Sequence, residues 1–245
     1  MGKALKNIHI GTSGWSYKDW AGIFYPAGLK SKDWLAFYAE NFGTVEVNSS
    51  FYHKVSPATY ENWRAATPEG FLFSVKMSRY LTHIRRLEDA GEIWRNFLEG
   101  ARGLKEKLGP VLFQLPPYFR ASPERLEDLL KISEGYKFVF EFREKSWFSE
   151  EIYGILRKYN AALVIADSPA WPSEEVITAD FVYYRMHGPG GLYSSRYGRE
   201  DLGRLAAKIR DLQNLKDIYV YFNNDFAGFA AENAKELIGL LKDGN

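Results

Sequence analysis

Phe181-Val182-Tyr183-Tyr184-Arg185-Met186-His187 has the composition and spacing of a β-strand with one functional face. Side chains two apart on a strand point the same way, so Tyr183, Arg185 and His187 line one side and Val182, Tyr184 and Met186 the other. Gly188-Pro189-Gly190-Gly191 then ends the run with residues that punctuate strands. The polar groups thus gather at the C-terminal end of a segment that is otherwise apolar and aromatic.

Working outward, the same arrangement recurs. In the run 138–143, Val139, Glu141 and Arg143 share a face and Phe138, Phe140 and Phe142 oppose them, as expected if the Phe row packs under helices. Glu46 and Asn48 oppose Val45 and Val47; Ser74 pairs with Lys76, and Leu112 with Gln114. Leu163, Ile165 and Asp167 align in their own run, and their face is expected to join the others. Strand runs at 8–12, 44–48, 71–76, 111–114, 138–143, 163–167, 181–187 and 218–222 make eight, the number a closed parallel barrel requires.

Helical patterns fill the gaps at 88–108, 149–159, 199–212 and 229–241, with further starts at Ser31, Ser56-Pro57 and Ser122-Pro123. Ser before Pro supplies a capping acceptor and a first helical residue that needs no donor. The segment after the sixth strand, residues 168–178, is Pro-rich and has room for a short helix only. Strict alternation over 245 residues, close to the roughly 250 typical of the fold, predicts an α/β (β/α)8 TIM barrel forming one domain over 1–245. A doubly wound open sheet is the alternative, but no Gly-rich phosphate turn follows the first strand.

Composition narrows the function classes. A net charge of +1 provides no global field toward nucleic acid or an anionic membrane, so any basic function is local. The absence of cysteine excludes disulfides, thiolate metal sites and a cysteine nucleophile. No apolar run approaches membrane-spanning length and the first residues are short and polar, so a cytoplasmic protein without a membrane partner is expected.

Barrel enzymes place their chemistry at the C-terminal ends of the strands, where the βα-loops converge. The expected catalytic groups are Glu46, Glu141, Asp167 and His187. Substrate contacts are expected from Asn48, Lys76, Gln114, Arg143 and Arg185, and from Asn223 and Asn224 just past the eighth strand. Two stretches at the mouth are locally basic: 70–87, with Lys76, Arg79, Arg85 and Arg86, and 181–199, with Arg185, Arg196 and Arg199. Tyr193 and Tyr197 interleave with these arginines, and Trp15, Tyr52 and Trp147 sit just past other strands, so all five are candidates to stack on a ligand. Glu46, Glu141, Asp167 and His187 could also form an oxygen-rich magnesium or manganese site. Arg143 and Arg185 argue against that, because they already supply balancing charge, so no metal or other cofactor is expected.

Several motifs together resemble the YecE-like family, the domain of unknown function 72, over nearly the whole chain. They are Gly11-Thr12-Ser13-Gly14-Trp15 with Tyr17, Trp20 and Phe24-Tyr25-Pro26; Glu46-Val47-Asn48 with Phe51-Tyr52; and Lys76-Met77-Ser78-Arg79-Tyr80-Leu81-Thr82-His83. They continue through Phe113-Gln114-Leu115-Pro116-Pro117, Glu141-Phe142-Arg143 with Ser146-Trp147, Asp167-Ser168-Pro169, Arg185-Met186-His187-Gly188 and Tyr221-Phe222-Asn223-Asn224-Asp225. The resemblance implies a (β/α)8 barrel and no particular reaction.

The leading expectation is an enzyme, a hydrolase or lyase, acting on a phosphorylated or otherwise anionic small molecule. In it Lys76, Arg143 and Arg185 clamp the anion and Glu46 or Glu141 serves as general acid or base. Two alternatives stand beside it: a non-catalytic module for a nucleotide or single-stranded nucleic acid, and a divalent-metal-dependent phosphoesterase or nuclease. Oligomeric state is left open.

Overall fold

Alternating apolar positions fold into eight strands in the computed structural model, which describes residues 7–132 and 135–243. They are β1 (Ile8–Thr12), β2 (Thr44–Val47), β3 (Leu72–Lys76), β4 (Leu108–Gln114), β5 (Phe138–Glu141), β6 (Ala162–Asp167), β7 (Phe181–Met186) and β8 (Asp217–Phe222). The first six residues of the short polar start of the chain lie outside the described residues. Every pair is parallel, in the order β1-β8-β7-β6-β5-β4-β3-β2. A bridge between Ser13 and Glu46 brings the two outer strands together and closes the barrel.

Helices α1 (Trp34–Asn41), α2 (Ser49–Tyr52), α3 (Pro57–Ala65), α4 (Ala90–Ala101), α5 (Pro123–Leu130), α6 (Glu150–Lys158), α7 (Arg199–Asp211) and α8 (Phe229–Asp243) cover the outside. Ser56 caps α3 by accepting from the Thr59 amide, and Ser149 caps α6 from the Ile152 amide. Ser122 also precedes a proline, yet its side chain makes no cap bond. The expected helix at 88–108 stops at Ala101, and a tight turn holding Lys105 at φ 49° leads straight into β4. Between β6 and β7 no helix forms among the described residues.

Position parity sorts the apolar side chains. Ile8, Ile10, Val45, Val47, Phe73, Val75, Ile218, Val220 and Phe222 pack outward beneath helices, as do Phe113, Phe138 and Phe140 further round. Inside, Leu112, Val139, Ala162, Val164, Ala166, Phe181, Tyr183, Tyr219 and Tyr221 fill the barrel. The inward face of β6 is therefore its small-residue face, opposite to the one carrying Asp167. Pro110 lies within β4 where it has no amide to donate, and the β3–β4 register shifts beside it.

The β1–β2 seam has few ladder bonds, and a side chain from α1 replaces them. The buried Tyr38 hydroxyl accepts from the Thr12 amide at 2.9 Å and from Thr12 Oγ1 at 3.0 Å, and donates to the Thr44 carbonyl at 3.0 Å. Glycine is required opposite it, because a Cβ on Gly11 would lie 2.2 Å from the Thr44 carbonyl oxygen. Removing the hydroxyl leaves buried backbone groups without partners, which costs about 1–3 kcal/mol. Tyr38→Phe should therefore lower urea-unfolding stability by about that amount at an unchanged m-value. A variant as stable as the parent would show that the seam does not depend on this bridge.

Candidate functional site

The C-terminal mouth is organised around Arg185, carried inward by β7. Its Nε donates to Glu46 Oε2 at 3.0 Å and its Nη2 to Glu46 Oε1 at 2.8 Å, a two-pronged grip on a carboxylate delivered by β2. Nη2 also donates to Asn223 Oδ1 at 2.9 Å, and Nη1 to Glu141 Oε2 from β5. Below, the Tyr183 hydroxyl donates to Glu46 Oε2 at 2.7 Å and meets Ser74 Oγ at 2.8 Å. Glu141 takes a further bond from Arg143 Nε at 2.7 Å, and His187 Nε2 stands 3.7 Å from its other oxygen.

Glu46, Glu141, Arg185 and His187 are all essentially without solvent contact. Burial pushes the Glu46 carboxyl up, but Arg185, the Tyr183 hydroxyl and Lys76 more than offset it, so the group titrates below its ordinary range. Burial acts likewise on Glu141, where Arg143, Arg185 and His187 hold the carboxyl well down. Both are carboxylates at neutral pH. Burial lowers His187, which Glu141 only partly opposes, so its imidazole is neutral near pH 7. Among the described residues neither ring nitrogen of His187 has a hydrogen-bond partner.

Lys76 ends β3 and points into the same space. Its Nζ donates to Gln114 Oε1 at 2.7 Å and lies 4.2 Å above the Phe51 ring. Burial and then the Arg185 charge push its pKa down from 10.5 to about 7, against the pull of Glu141 and Glu46. Arg143 stacks 4.5 Å over Trp171 from the β6–β7 connection.

Eight expected site residues thus meet at the mouth: Glu46, Lys76, Gln114, Glu141, Arg143, Arg185, His187 and Asn223. The Tyr193 ring meets the His187 ring edge-on at 5.5 Å. Trp15 and Asn48 line an adjoining cleft between the loops after β1 and β2, where Asn48 Oδ1 and the nearby Ser13 Oγ are buried without partners.

Other expected site residues fall elsewhere. Asp167 lies outside the barrel, in a cleft between β6, β7 and α7 with Asp201, Arg204 and Lys208. Alternation placed it correctly relative to Ile165, but that face turns toward the helices. Tyr197 is buried on the same outer side, accepting from the Gly188 amide at 2.8 Å. Trp147 stacks on Phe142 at 4.7 Å and donates to the Phe119 carbonyl at 2.7 Å, so it is core. Asn224 Nδ2 is spent on the Ser195 carbonyl and Asn233, fastening the Gly-rich loop to α8. Tyr52 is exposed beside a different cleft with Tyr80 and Phe97.

The basic stretches are partly neutralised by acids from outside them: Arg85 pairs with Asp89 and Glu88, and Arg196 with Glu232 and Glu236. The oxygen-rich metal set is not assembled, since Asp167 sits across the sheet from Glu46 and Glu141. Among the described residues no three His, Cys, Asp or Glu side chains could hold a metal ion. Tyr183, although on the Arg185 face, and Trp171 are not among the site residues expected from sequence. Tyr183 shares its face with Arg185, a signal that could have found it, whereas Trp171 lies in a Pro-rich segment without periodicity.

Breaking a buried ion pair on one side strands the other charge, at about 3–5 kcal/mol. Arg185→Ala should therefore lose about 3–5 kcal/mol in denaturant unfolding, having left the buried Glu46 carboxylate without an ion-pair partner and Glu141 with Arg143 alone. A neutral effect would mean that water replaces the guanidinium.

Lys76 acts in the opposite sense. With a folded pKa of about 7 against 10.5 unfolded, the unfolded chain binds the extra proton between those values, so this group makes stability rise with pH there. Lys76→Met should melt higher than the parent at pH 7–8, with the advantage fading as pH approaches 10.5. An advantage independent of pH would assign it to packing.

Among the described residues no helix is long and apolar enough to cross a membrane. The family model DUF72, described as a protein of unknown function, matches residues 9–245. The chain is 29% identical to UPF0759 protein YunF of Bacillus subtilis across 96% of its own length and 94% of that protein. It is 27% identical to UPF0759 protein YecE of Escherichia coli over 58% of this chain and 51% of the relative. A crystal structure of a DUF72 family protein from Thermotoga maritima superposes with a TM-score of 0.86 at 32% identity, covering 96% of this chain and 99% of that one. A DUF72 family protein from Enterococcus faecalis gives 0.81 at 23% identity over 96% and 95%, a likeness of fold. Agreement of the family model with residues 9–245 means that this barrel belongs to the DUF72 family of proteins of unknown function.

Proposed function

We propose that the mouth binds a small anionic substrate and acts on it by proton transfer, with Lys76 and Arg143 meeting the anion and Lys76 and His187 handling protons. The unequal use of the mouth's polar groups carries this reading. Arg185 spends four hydrogen bonds on Glu46, Glu141 and Asn223, so it positions rather than clamps. Among the described residues Lys76 has one side-chain acceptor, Arg143 bonds only through Nε, and His187 has no partner.

The charge balance agrees. Arg143, Arg185 and a protonated Lys76 outweigh Glu46 and Glu141 by one, so an arriving anion neutralises the cluster. Glu46 and Glu141, held as carboxylates by their arginines, are weak proton carriers near pH 7 and serve to hold the cations in place. The reading is metal-free, because Arg143 and Arg185 already balance the charge of both carboxylates. The nucleic-acid alternative has less support: Tyr197 is buried and Arg196 is paired, which removes the stacking stretch that motivated it.

Sulfate tests the site without knowledge of the reaction, since its charge is constant across neutral pH. Binding measured by calorimetry should tighten as pH falls through about 7, where Lys76 gains its proton. Charge-assisted bonds are worth about 1.5–3 kcal/mol, so Arg143→Ala should weaken it by about one to two orders of magnitude. Affinity unchanged in Arg143→Ala, or no binding at any pH, would remove the anion site.

A further inference from the structure

We propose that Lys76 is a nucleophile that forms an imine with the carbonyl carbon of a short 2-oxo acid, whose carboxylate is held by Arg143. The inference deepens the reading above and rests on its anion site. It starts from a contrast between two buried lysines. Lys107 donates from Nζ to the Arg64 carbonyl, the Thr67 carbonyl and Thr67 Oγ1, at 2.7, 2.7 and 3.0 Å, so its three protons each have an acceptor. That is how a fold accommodates a structural ammonium.

Lys76 is just as withdrawn from solvent, yet it has one acceptor, Gln114 Oε1, and an aromatic ring. It forms no ion pair among the described residues, although Glu46 and Glu141 are close enough to influence it; both are taken by arginines. An amine so placed is stable when neutral, and a neutral amine offers a lone pair. The groups acting on it are Arg185, Glu141, Glu46 and Arg143, which together with burial hold it at about 7, and its own charge in turn lowers the His83 imidazole. A substantial share is therefore nucleophilic at neutral pH.

The mouth supplies the remaining requirements. Arg143 keeps its terminal nitrogens off Glu141, and a guanidinium edge matches a planar carboxylate. His187 lies against Glu141 with both ring nitrogens unpartnered among the described residues, able to give and take a proton. The Nζ lone pair attacks the carbonyl carbon, the C=O π pair moves to oxygen, and that oxygen takes up a proton as nitrogen releases one, giving a neutral carbinolamine. Protonation of its hydroxyl, cleavage of the C–O bond and loss of water leave an iminium on Lys76. The net change is amine plus carbonyl plus one proton to iminium plus water, with no oxidant or reductant. Glu46 and Glu141 favour that cation, as they favour the ammonium. The iminium can then accept the electron pair released when a neighbouring C–C or C–H bond breaks, which places the reaction among lyases or proton-transfer steps beside a carbonyl.

Borohydride trapping decides the matter. The full-length protein is incubated with pyruvate, glyoxylate or 2-oxobutyrate, reduced with sodium borohydride, and analysed by intact mass and peptide mapping. The expected result is a single adduct on the peptide carrying Lys76 with at least one of these acids, formed with a midpoint near pH 7. It should be lost in Lys76→Met and strongly reduced in Arg143→Ala, while circular dichroism shows both variants folded. No adduct at Lys76 with any of the three, or modification spread over surface lysines and unchanged in Lys76→Met, overturns the proposal. Sulfate binding that depends on Arg143 would in that case leave the anion site standing, so the two failures are separable.

Discussion

The four-way engagement of the Arg185 guanidinium is the constraint on which the mouth of this barrel depends. One side chain from β7 ties together carboxylates from β2 and β5 and the amide of Asn223 after β8. Each carboxylate, like the guanidinium itself, would be costly to bury alone. Together they are mutually satisfied, and Tyr183 and Ser74 extend the network down into the barrel interior. The result is a rigid, charged floor reaching across the barrel, placed where substrates of this fold bind.

What this floor leaves over defines the chemistry available. Because four of the five Arg185 N–H groups are engaged and burial among cations holds both carboxylates ionised, neither carboxylate is a proton donor near neutral pH. The unused capacity belongs to Lys76, His187 and the outer edge of Arg143, all within the electrostatic reach of Glu141. The two kinds of buried charge act oppositely on stability: the arginines and carboxylates satisfy one another, whereas a buried lysine with a pKa near 7 works against the fold. A fold that keeps such a group keeps it at a thermodynamic cost.

The walls follow a different logic. Large outward-facing side chains bury against the helices, and the inner face of β6 is reduced to Ala162, Val164 and Ala166, where Tyr183, Tyr219 and Tyr221 fill the interior. The weakest join, between β1 and β2, relies on a hydroxyl from α1 rather than on a continuous ladder. Interior volume and seam geometry thus decide which residues reach the mouth and which, like Asp167, are turned away from it.

Sequence by itself determined the eight strands, their alternation with helices and the polar character of most strand ends, because side-chain parity is a local property with a period of two residues. From parity alone Glu46, Lys76, Gln114, Glu141, Arg143, Arg185 and His187 were legible as one face. Parity does not say which face is inside, and so Asp167 in β6 was grouped with residues it never meets. Nor does it reveal pairing. Glu46 and Arg185 stand 139 positions apart, and only closure of the barrel makes Arg185 the hub and leaves Lys76 without a carboxylate. The aromatic candidates divided on the same ground: Trp147 and Tyr197 became core because neighbouring helices and loops cover them, while Tyr193 reached the site. Tertiary structure decided those outcomes because burial and ion pairing depend on distances between segments remote in the chain.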